Sequence, residues 1–521
     1  MVLNDSFNGV ADVASSLPLP SHTEKSIPYL ITFLVIVGLT YFVTNHGSKI
    51  PEINPLQGFE LTNSRRITHF VQNSRQLMTK GREEFKGRLW RMYSDWGDVI
   101  VVPPEVVNEL RSDPRVELQE TATDDTHGYI PGFDPFDTDP VMPMVVTKYL
   151  TRALTKLTQP LSEEAALVLR EKLTDSPDWH EIAPGSELLP IIARLSTRVF
   201  MGTELCRDAN WVHACSQYTA KSFAASFDLC HTPRWARPIT HWFRSDCWQV
   251  RAALKECRRV LRPFLERREQ RRQEAISDGA KGMIFDDSIE WFQKESKRRI
   301  DPATIQITLS NVAIHTTTDL LQQVMIDLAH KPELFEPLRQ EVISVLSAEG
   351  LKKTALYNLK LMDSVLKESQ RLKPVMFAPW RRRVLADIEL ENGMSLKKGQ
   401  KLVCTTIHMW DPEYYENPLE YDGYRFLNMR GTEEEKGAHL VSSTVKHIGF
   451  GHGQHSCPGR FFAANELKIA LAHLLLKYEW KLPEGSNPRP IAYGMIYLPD
   501  PSARLLIRRR KEELDFDSLE C

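Results

Sequence analysis

The most apolar stretch of the chain is 27–44, IPYLITFLVIVGLTYFVT, which carries no charge. At about 1.5 Å rise per residue such a run can just span a bilayer core. Its apolar character is continuous rather than striped, unlike a helix that buries one face. The pattern therefore predicts a membrane anchor at 27–44, after a short lumenal segment, 1–26. A linker, 45–59, follows, in which Pro51 and Pro55 stiffen an extended connector. A secretory signal is the competing reading. Against it, no basic lead-in precedes the run, no small-residue cleavage site follows, and the run exceeds a usual signal core. His46, Lys49, Arg65 and Arg66 beyond the span favour a cytosolic body by the positive-inside bias.

In the body, 60–521, helical periodicity dominates. Asp301-Pro302 is a capping side chain followed by proline at the first helical position. Apolar positions then continue through Ile305, Val312, Leu320, Val324 and Leu328, and the pattern stops before Lys331-Pro332. This predicts a helix of about 30 residues, long enough to cross a whole domain. A second helix is predicted over 359–372 and another over 460–478. A short apolar stretch, 99–102, ends at Pro103-Pro104, and strand-like pieces fall at 384–390, 402–406 and 503–507. The segment 121–143, rich in Asp, Gly and Pro, reads as a loop. The fold class is mainly α with a smaller β portion, in one domain.

Composition narrows the function. Of 521 residues, 42% are hydrophobic and 26% charged, so a large core forms without disulfides. The formal net charge of −2 gives no basic domain for a nucleic-acid partner. The stretch 251–274 is strongly basic; it reads either as a contact for an acidic partner or membrane, or as a solvated face with its own Glu residues interleaved. None of the eight cysteines forms a C-x-x-C pair, and one alone stands in a motif.

That motif is FGHGQHSCPG, 450–459. Glycines at 451, 453 and 459 permit tight turns and close approach to something flat and bulky. Cys457 sits just before a helix start, where unpaired N–H groups favour a thiolate and lower a thiol pKa. Two other readings compete: an ordinary buried thiol, or zinc held by His452, His455 and Cys457. The spacing is not that of a structural zinc motif.

Phe450, Gly453, Cys457 and Gly459 match F-x-x-G-x-x-x-C-x-G, and the segment resembles the haem-binding signature of the cytochrome P-450 family. The resemblance implies haem b, with Cys457 as its axial iron ligand. His455 stands where many members carry an arginine, and looks like a haem-propionate partner. One of Arg381, Arg382 and Arg383 is a candidate second partner. Three further segments resemble the family in order. Glu368 and Arg371 form E-x-x-R on one helix face; with Arg425, from YDGYRF, they would form a structural triad. Val312-Ala-Ile-His-Thr-Thr-Thr318 resembles the oxygen-binding turn of the long helix. There Thr316 matches the oxygen-activating threonine, His315 occupies the acidic position, and a threonine can bond the preceding turn and open a small kink. Ala313, Thr317, Val375, Met376, Phe377 and Ala378 would contact substrate.

The implied activity is monooxygenation of a hydrophobic small molecule, resembling fungal microsomal members that act on terpenoids and related secondary metabolites. The implied partners are an NADPH-dependent P-450 reductase, steered by a basic surface with Lys446, and a lipid bilayer. The implied location is the endoplasmic reticulum membrane, single-pass, with the catalytic domain cytosolic. A redox-neutral haem-thiolate isomerase or dehydratase needs the same cysteine but no electrons. A non-catalytic metal-binding membrane protein is the alternative from another class.

Overall fold

The computed structural model describes residues 50–57, 60, 62–279, 284–516 and 519, together with 28, 29, 31–33, 35 and 38. The chain divides into two units, Met1–Pro51 and Glu52–Cys521. In the first, the described residues between 28 and 38 are helical and exposed. The rest of the predicted anchor, 27–44, lies outside the described residues. Among the described residues, no helix is long and apolar enough to cross a membrane.

The second unit is mainly helical with a smaller β portion. Its principal helices are α1 (Thr151–Leu173), α2 (Pro184–Met201), α3 (Ala209–Leu229), α4 (Ser245–Ser277), α5 (Pro302–His330), α6 (Lys360–Leu372) and α7 (Arg460–Lys477). The predicted long helix is α5, 29 residues, opened by the Asp301 side chain accepting from the Ala303 amide at 3.2 Å. It runs without a break through the 312–318 turn. Most of its length is buried on all sides, as expected of a helix crossing a large core, and it packs on α2, α6 and α7.

The principal sheet runs β1 (Trp90–Ser94), β2 (Gly97–Val101), β5 (Lys401–Cys404), β4 (Trp380–Val384), β3 (Val116–Glu117). β2 and β5 are parallel, and every other neighbouring pair is antiparallel. Within the strand predicted at 384–390, Val384 ends β4 and Ile388–Glu389 forms a short strand paired with Ser395–Leu396, while most of β4 lies earlier, over three arginines. Two of them are neutralised by Asp124 and Asp125, which also receive Lys401. Those aspartates end a helix, Gln119–Asp125, that runs into the start of the predicted loop, 121–143. Its start is fixed by the Glu117 carboxylate, which accepts from the Gln119 and Glu120 amides at 2.6 and 2.8 Å.

The basic stretch of α4 is matched within the chain. Arg267 and Arg271 reach Glu204, Arg268 reaches Asp287 and Glu290, and Arg258 reaches Asp301. Lys446 likewise pairs with Glu434 at 2.7 Å, both exposed.

Candidate active site

The cysteine loop is closed by its own backbone. The Cys457 amide donates to the Phe450 carbonyl at 2.8 Å, and the Gly451 amide to the Ile448 carbonyl at 2.7 Å. Gly451 and Gly453 take φ of +72° and +78°, which disfavours side chains. Gly453 has a second reason to be glycine: a Cβ there would collide with the backbone carbonyl of Arg111, which also accepts from the Gln454 amide. The close approach expected at Gly453 is thus to protein. At Gly459 a Cβ would meet only the Cys457 Sγ, at 4.0 Å.

The electrostatics of Cys457 correct one expectation. Backbone N–H groups of Gly459 and Arg460 favour the thiolate, but burial outweighs them and pushes the thiol up. The side chain is enclosed yet keeps accessible surface, so it borders interior space. The zinc reading finds no support. Among the described residues, no three His, Cys, Asp or Glu side chains converge as metal ligands.

A second open surface lies in the middle of α5. Val312 is 50% exposed although the helix around it is buried. Ala313, Thr316 and Asp319 are half-buried, and their spacing from Val312 puts them on or beside the same face. Thr316 donates to the Val312 carbonyl at 3.0 Å, the predicted bond to the preceding turn. His315 is turned toward α3, edge-on to Phe223, and burial holds its imidazole below the ordinary value. Thr317, one turn after Ala313, is buried, 3% exposed.

The arginine strand shows how a charged run distributes itself. Alternation along β4 sends Arg381 and Arg383 to one side, where they meet Asp125 at 3.3 Å and Asp124 at 3.0 Å. Arg382 turns the other way and is 1% exposed. It donates to the carbonyls of Arg381 and His452 at 2.7 and 3.1 Å, and no carboxylate among the described residues lies within ion-pair distance. Burial pulls its guanidinium down to about 10. Its charge lies over the Trp380 ring, 4.8 Å away, and the buried Trp380 Nε1 has no acceptor among the described residues. His455 is close enough to Arg382 to be pushed toward neutrality by it, after burial. Arg382 bonded to the cysteine loop, the Trp380 Nε1 donor beside its guanidinium, and His455 of that loop together fit the carboxylates of a haem. The sequence left the choice among three arginines open; strand alternation singles out Arg382.

Glu368, Arg371 and Arg425 are brought together. Arg371 donates twice to Glu368, at 2.7 and 2.8 Å, and Arg425 donates at 3.1 Å. Arg371 also donates to the Met409 and Pro418 carbonyls, and Arg425 to that of Glu416. Glu368 and Arg371 are wholly buried, so the pair knits α6 to the 409–425 segment inside the core.

The four residues expected at the substrate after α6 divide in two. Val375 and Met376 are half-buried, whereas Phe377 and Ala378 are fully buried. Phe377 packs against Tyr497 and Trp410 at ring distances of 5.0 and 6.2 Å, in a separate core with Phe70 and Met78. The Phe450 ring, only partly buried, lies against the main core.

A family model described as Cytochrome P-450 matches residues 68–507. The cytochrome P-450 monooxygenase eqxH of Fusarium heterosporum is 51% identical, across 94% of this chain and 95% of its own length. The cytochrome P-450 monooxygenase hepE of Aspergillus oryzae is 40% identical, across 92% and 89%. Among solved structures, the crystal structure of the cytochrome P450DA heme domain matches with a TM-score of 0.66 at 18% identity. That likeness of fold covers 89% of this chain and 98% of the other.

Proposed function

This chain belongs to the cytochrome P-450 family and is a haem b monooxygenase; from that premise we propose that Cys457 is the axial ligand and that the open face of α5 is where oxygen and substrate meet. The observation that carries the reading is Arg382, a buried cation with no counter-ion among the described residues, bonded to the carbonyl of His452 in the cysteine loop. Bound there, haem supplies the reductive activation of dioxygen that lets one oxygen atom enter an unactivated C–H bond.

The rest is the work of this chain's own side chains. Cys457 would hold the iron as its thiolate, the thiol proton leaving to solvent, with the metal's charge and the amides of Gly459 and Arg460 favouring the anion. Arg382, Trp380 and His455 hold the carboxylates at the haem edge. Phe450, Gly453 and Gly459 shape the loop, and Glu368, Arg371 and Arg425 brace α6 behind it. Val312, Ala313, Val375 and Met376 offer apolar contact to a hydrophobic substrate. Thr316 presents its hydroxyl oxygen on the same face, its proton engaged by Val312.

We further assign the substrate to the terpenoids or related fungal secondary metabolites. The electron donor is an NADPH-dependent P-450 reductase. The chain is a single-pass protein of the endoplasmic reticulum, anchored by 27–44 with the body cytosolic. Membrane contact by the body is supported by an exposed aromatic cluster in 235–248. Trp235 and Phe243 are 81% and 85% exposed, with Ile239, Trp242 and Trp248 beside them in sequence.

The test is a carbon monoxide difference spectrum of the dithionite-reduced microsomal protein, beside Cys457→Ala. The red-shifted Soret band of a thiolate-bound haem is expected in the wild type and lost in the variant. A folded wild-type protein without that band overturns the assignment. Turnover of a terpenoid panel with and without reductase then separates oxygenation from redox-neutral isomerisation.

A further inference from the structure

The turn before Thr316 poses a chemical difficulty. Reduction of dioxygen during oxygenation consumes two protons, and the residue that precedes Thr316 is His315 rather than an acid. The structure turns that imidazole toward α3, beside Phe223 and a small cavity lined by Thr197, Cys215 and Thr219. Burial keeps it neutral, which makes it a poor proton donor from that position.

An acid does stand on the open face. Asp319 is seven residues from the exposed Val312 and three from Thr316, so all three share one side of α5. We propose that Asp319 is the relay acid of this monooxygenase, passing protons through water and the Thr316 hydroxyl toward the bound oxygen.

Three observations support the assignment, which rests on the haem-thiolate reading of Cys457. First, Asp319 makes no hydrogen bond or ion pair with any described residue, yet is only half-buried, so its carboxyl borders interior space. Second, a carboxyl on the same helix with a purely structural task looks different. Asp327, two turns on, receives Lys373 and the Ser369 hydroxyl. Third, burial alone pushes the Asp319 carboxyl up to about 7. No charged group of α2, α6, α7 or of α5 itself contributes to that shift. A carboxyl so placed is half-protonated near neutrality, where an acid both gives and regains a proton readily.

The step balances. For each turnover, substrate C–H, one O2, two electrons from the reductase and two protons become C–OH and one water. The Asp319 O–H bond breaks and its proton moves to water or the Thr316 oxygen, while the Thr316 hydroxyl leaves the Val312 carbonyl and passes on its own proton. The carboxylate is reprotonated from solvent, and no electron passes through it. Asp319 acts through Thr316 and water, so its removal should divert electrons rather than abolish binding.

The test compares wild type, Asp319→Asn and Asp319→Glu in reductase-containing microsomes or detergent. With Asp319→Asn the carbon monoxide Soret band is retained. Product per NADPH falls on the order of tenfold or more, with hydrogen peroxide rising to match. Asp319→Glu restores part of the coupling and shifts its pH profile. Independently of turnover, the carboxyl infrared band in the wild-type minus Asp319→Asn difference spectrum titrates near pH 7. Unchanged coupling in Asp319→Asn overturns the proposal. So does loss of coupling only together with the Soret band, which marks a structural role, or a carboxyl that ionises at an ordinary aspartate pH. A wild-type protein with no Soret band overturns the haem-thiolate reading instead, and the relay with it.

Discussion

Replacing Arg382 by leucine separates the cost of burying a cation from its use. In the haem-free protein, burial lowers the guanidinium from 12.5 to about 10. Converted at about 1.4 kcal/mol each, the difference of about 2.5 pH units amounts to about 3.5 kcal/mol of unfavourable desolvation. The carbonyls of Arg381 and His452 offset it, since a hydrogen bond to a charged group contributes about 1.5–3 kcal/mol. Leucine removes both contributions, so haem-free Arg382→Leu should unfold within about 1 kcal/mol of wild type. Haem binding should respond quite differently. Breaking a buried cation–carboxylate pair costs about 3–5 kcal/mol, or on the order of 10²–10⁴ in affinity. Arg381→Leu is the control with the opposite pattern. It takes one of two cations from buried Asp125 and leaves Lys401, so a loss of about 1–3 kcal/mol in protein stability is expected. Its haem affinity should change less than about tenfold. Denaturant titration of the haem-free proteins and Soret titration with haem measure both quantities. The reasoning is refuted if Arg382→Leu keeps haem as tightly as wild type, or if it destabilises the haem-free protein more than Arg381→Leu.

Three other outcomes follow from the same packing. Glu368→Gln leaves the Arg371 and Arg425 guanidiniums facing a neutral amide inside the core. A stability loss of about 3–5 kcal/mol is expected in thermal unfolding, and a change below about 1 kcal/mol would show the triad to be dispensable. Glu466 is wholly buried, its carboxyl accepts from the Ser196 hydroxyl, and burial raises it from 4.5 to about 8. The folded state thus holds a proton that the unfolded state releases. This stability is full below pH 4.5 and is lost as pH rises toward about 8. Glu466→Gln should flatten that decline, and an unchanged slope in pH-dependent unfolding would count against it. Phe377→Ala should cost about 3–5 kcal/mol by opening the core with Trp410 and Tyr497. Met376→Ala should instead alter substrate-induced spectral shifts at little cost in stability; the reverse result would exchange their roles.

The long helix was readable because its signals are local. Asp301 caps, Pro302 opens and Pro332 stops, and all three act within a turn of where they stand. The cysteine loop and the E-x-x-R pair were readable for the same reason: fixed spacing carries the geometry. Long-range neutralisation escaped the sequence. Residues 121–143 read as a loop because Asp, Gly and Pro favour turns, yet Asp124 and Asp125 close a helix where Lys401, Arg381 and Arg383 arrive from strands far along the chain. Likewise nothing in the run Val375-Met-Phe-Ala378 tells which side chains face a ligand. The division appears only when Tyr497 and Trp410 close over Phe377.

The two most informative residues share a property that no motif encodes. Much of the buried charge in this core is matched: Glu368 by two arginines, Asp363 by Lys468 and Arg430, Glu164 by Arg194 and Arg207. A folded chain tolerates an unmatched buried charge only at a cost of several kcal/mol, so the exceptions ask for a reason. Arg382 is one, a cation bonded to the cysteine loop. Asp319 is another kind of exception, a half-buried carboxyl on the open face of the long helix with no partner among the described residues. They differ in sign, and the difference matches their tasks. A cation held at fixed charge suits a permanent carboxylate, whereas a carboxyl near neutrality suits a proton that comes and goes. Were both charges structural leftovers, replacing either by a neutral residue would stabilise the protein and leave its chemistry alone. Anion binding by Arg382 and proton relay by Asp319 require the opposite: haem loosened by the one change, electrons diverted by the other.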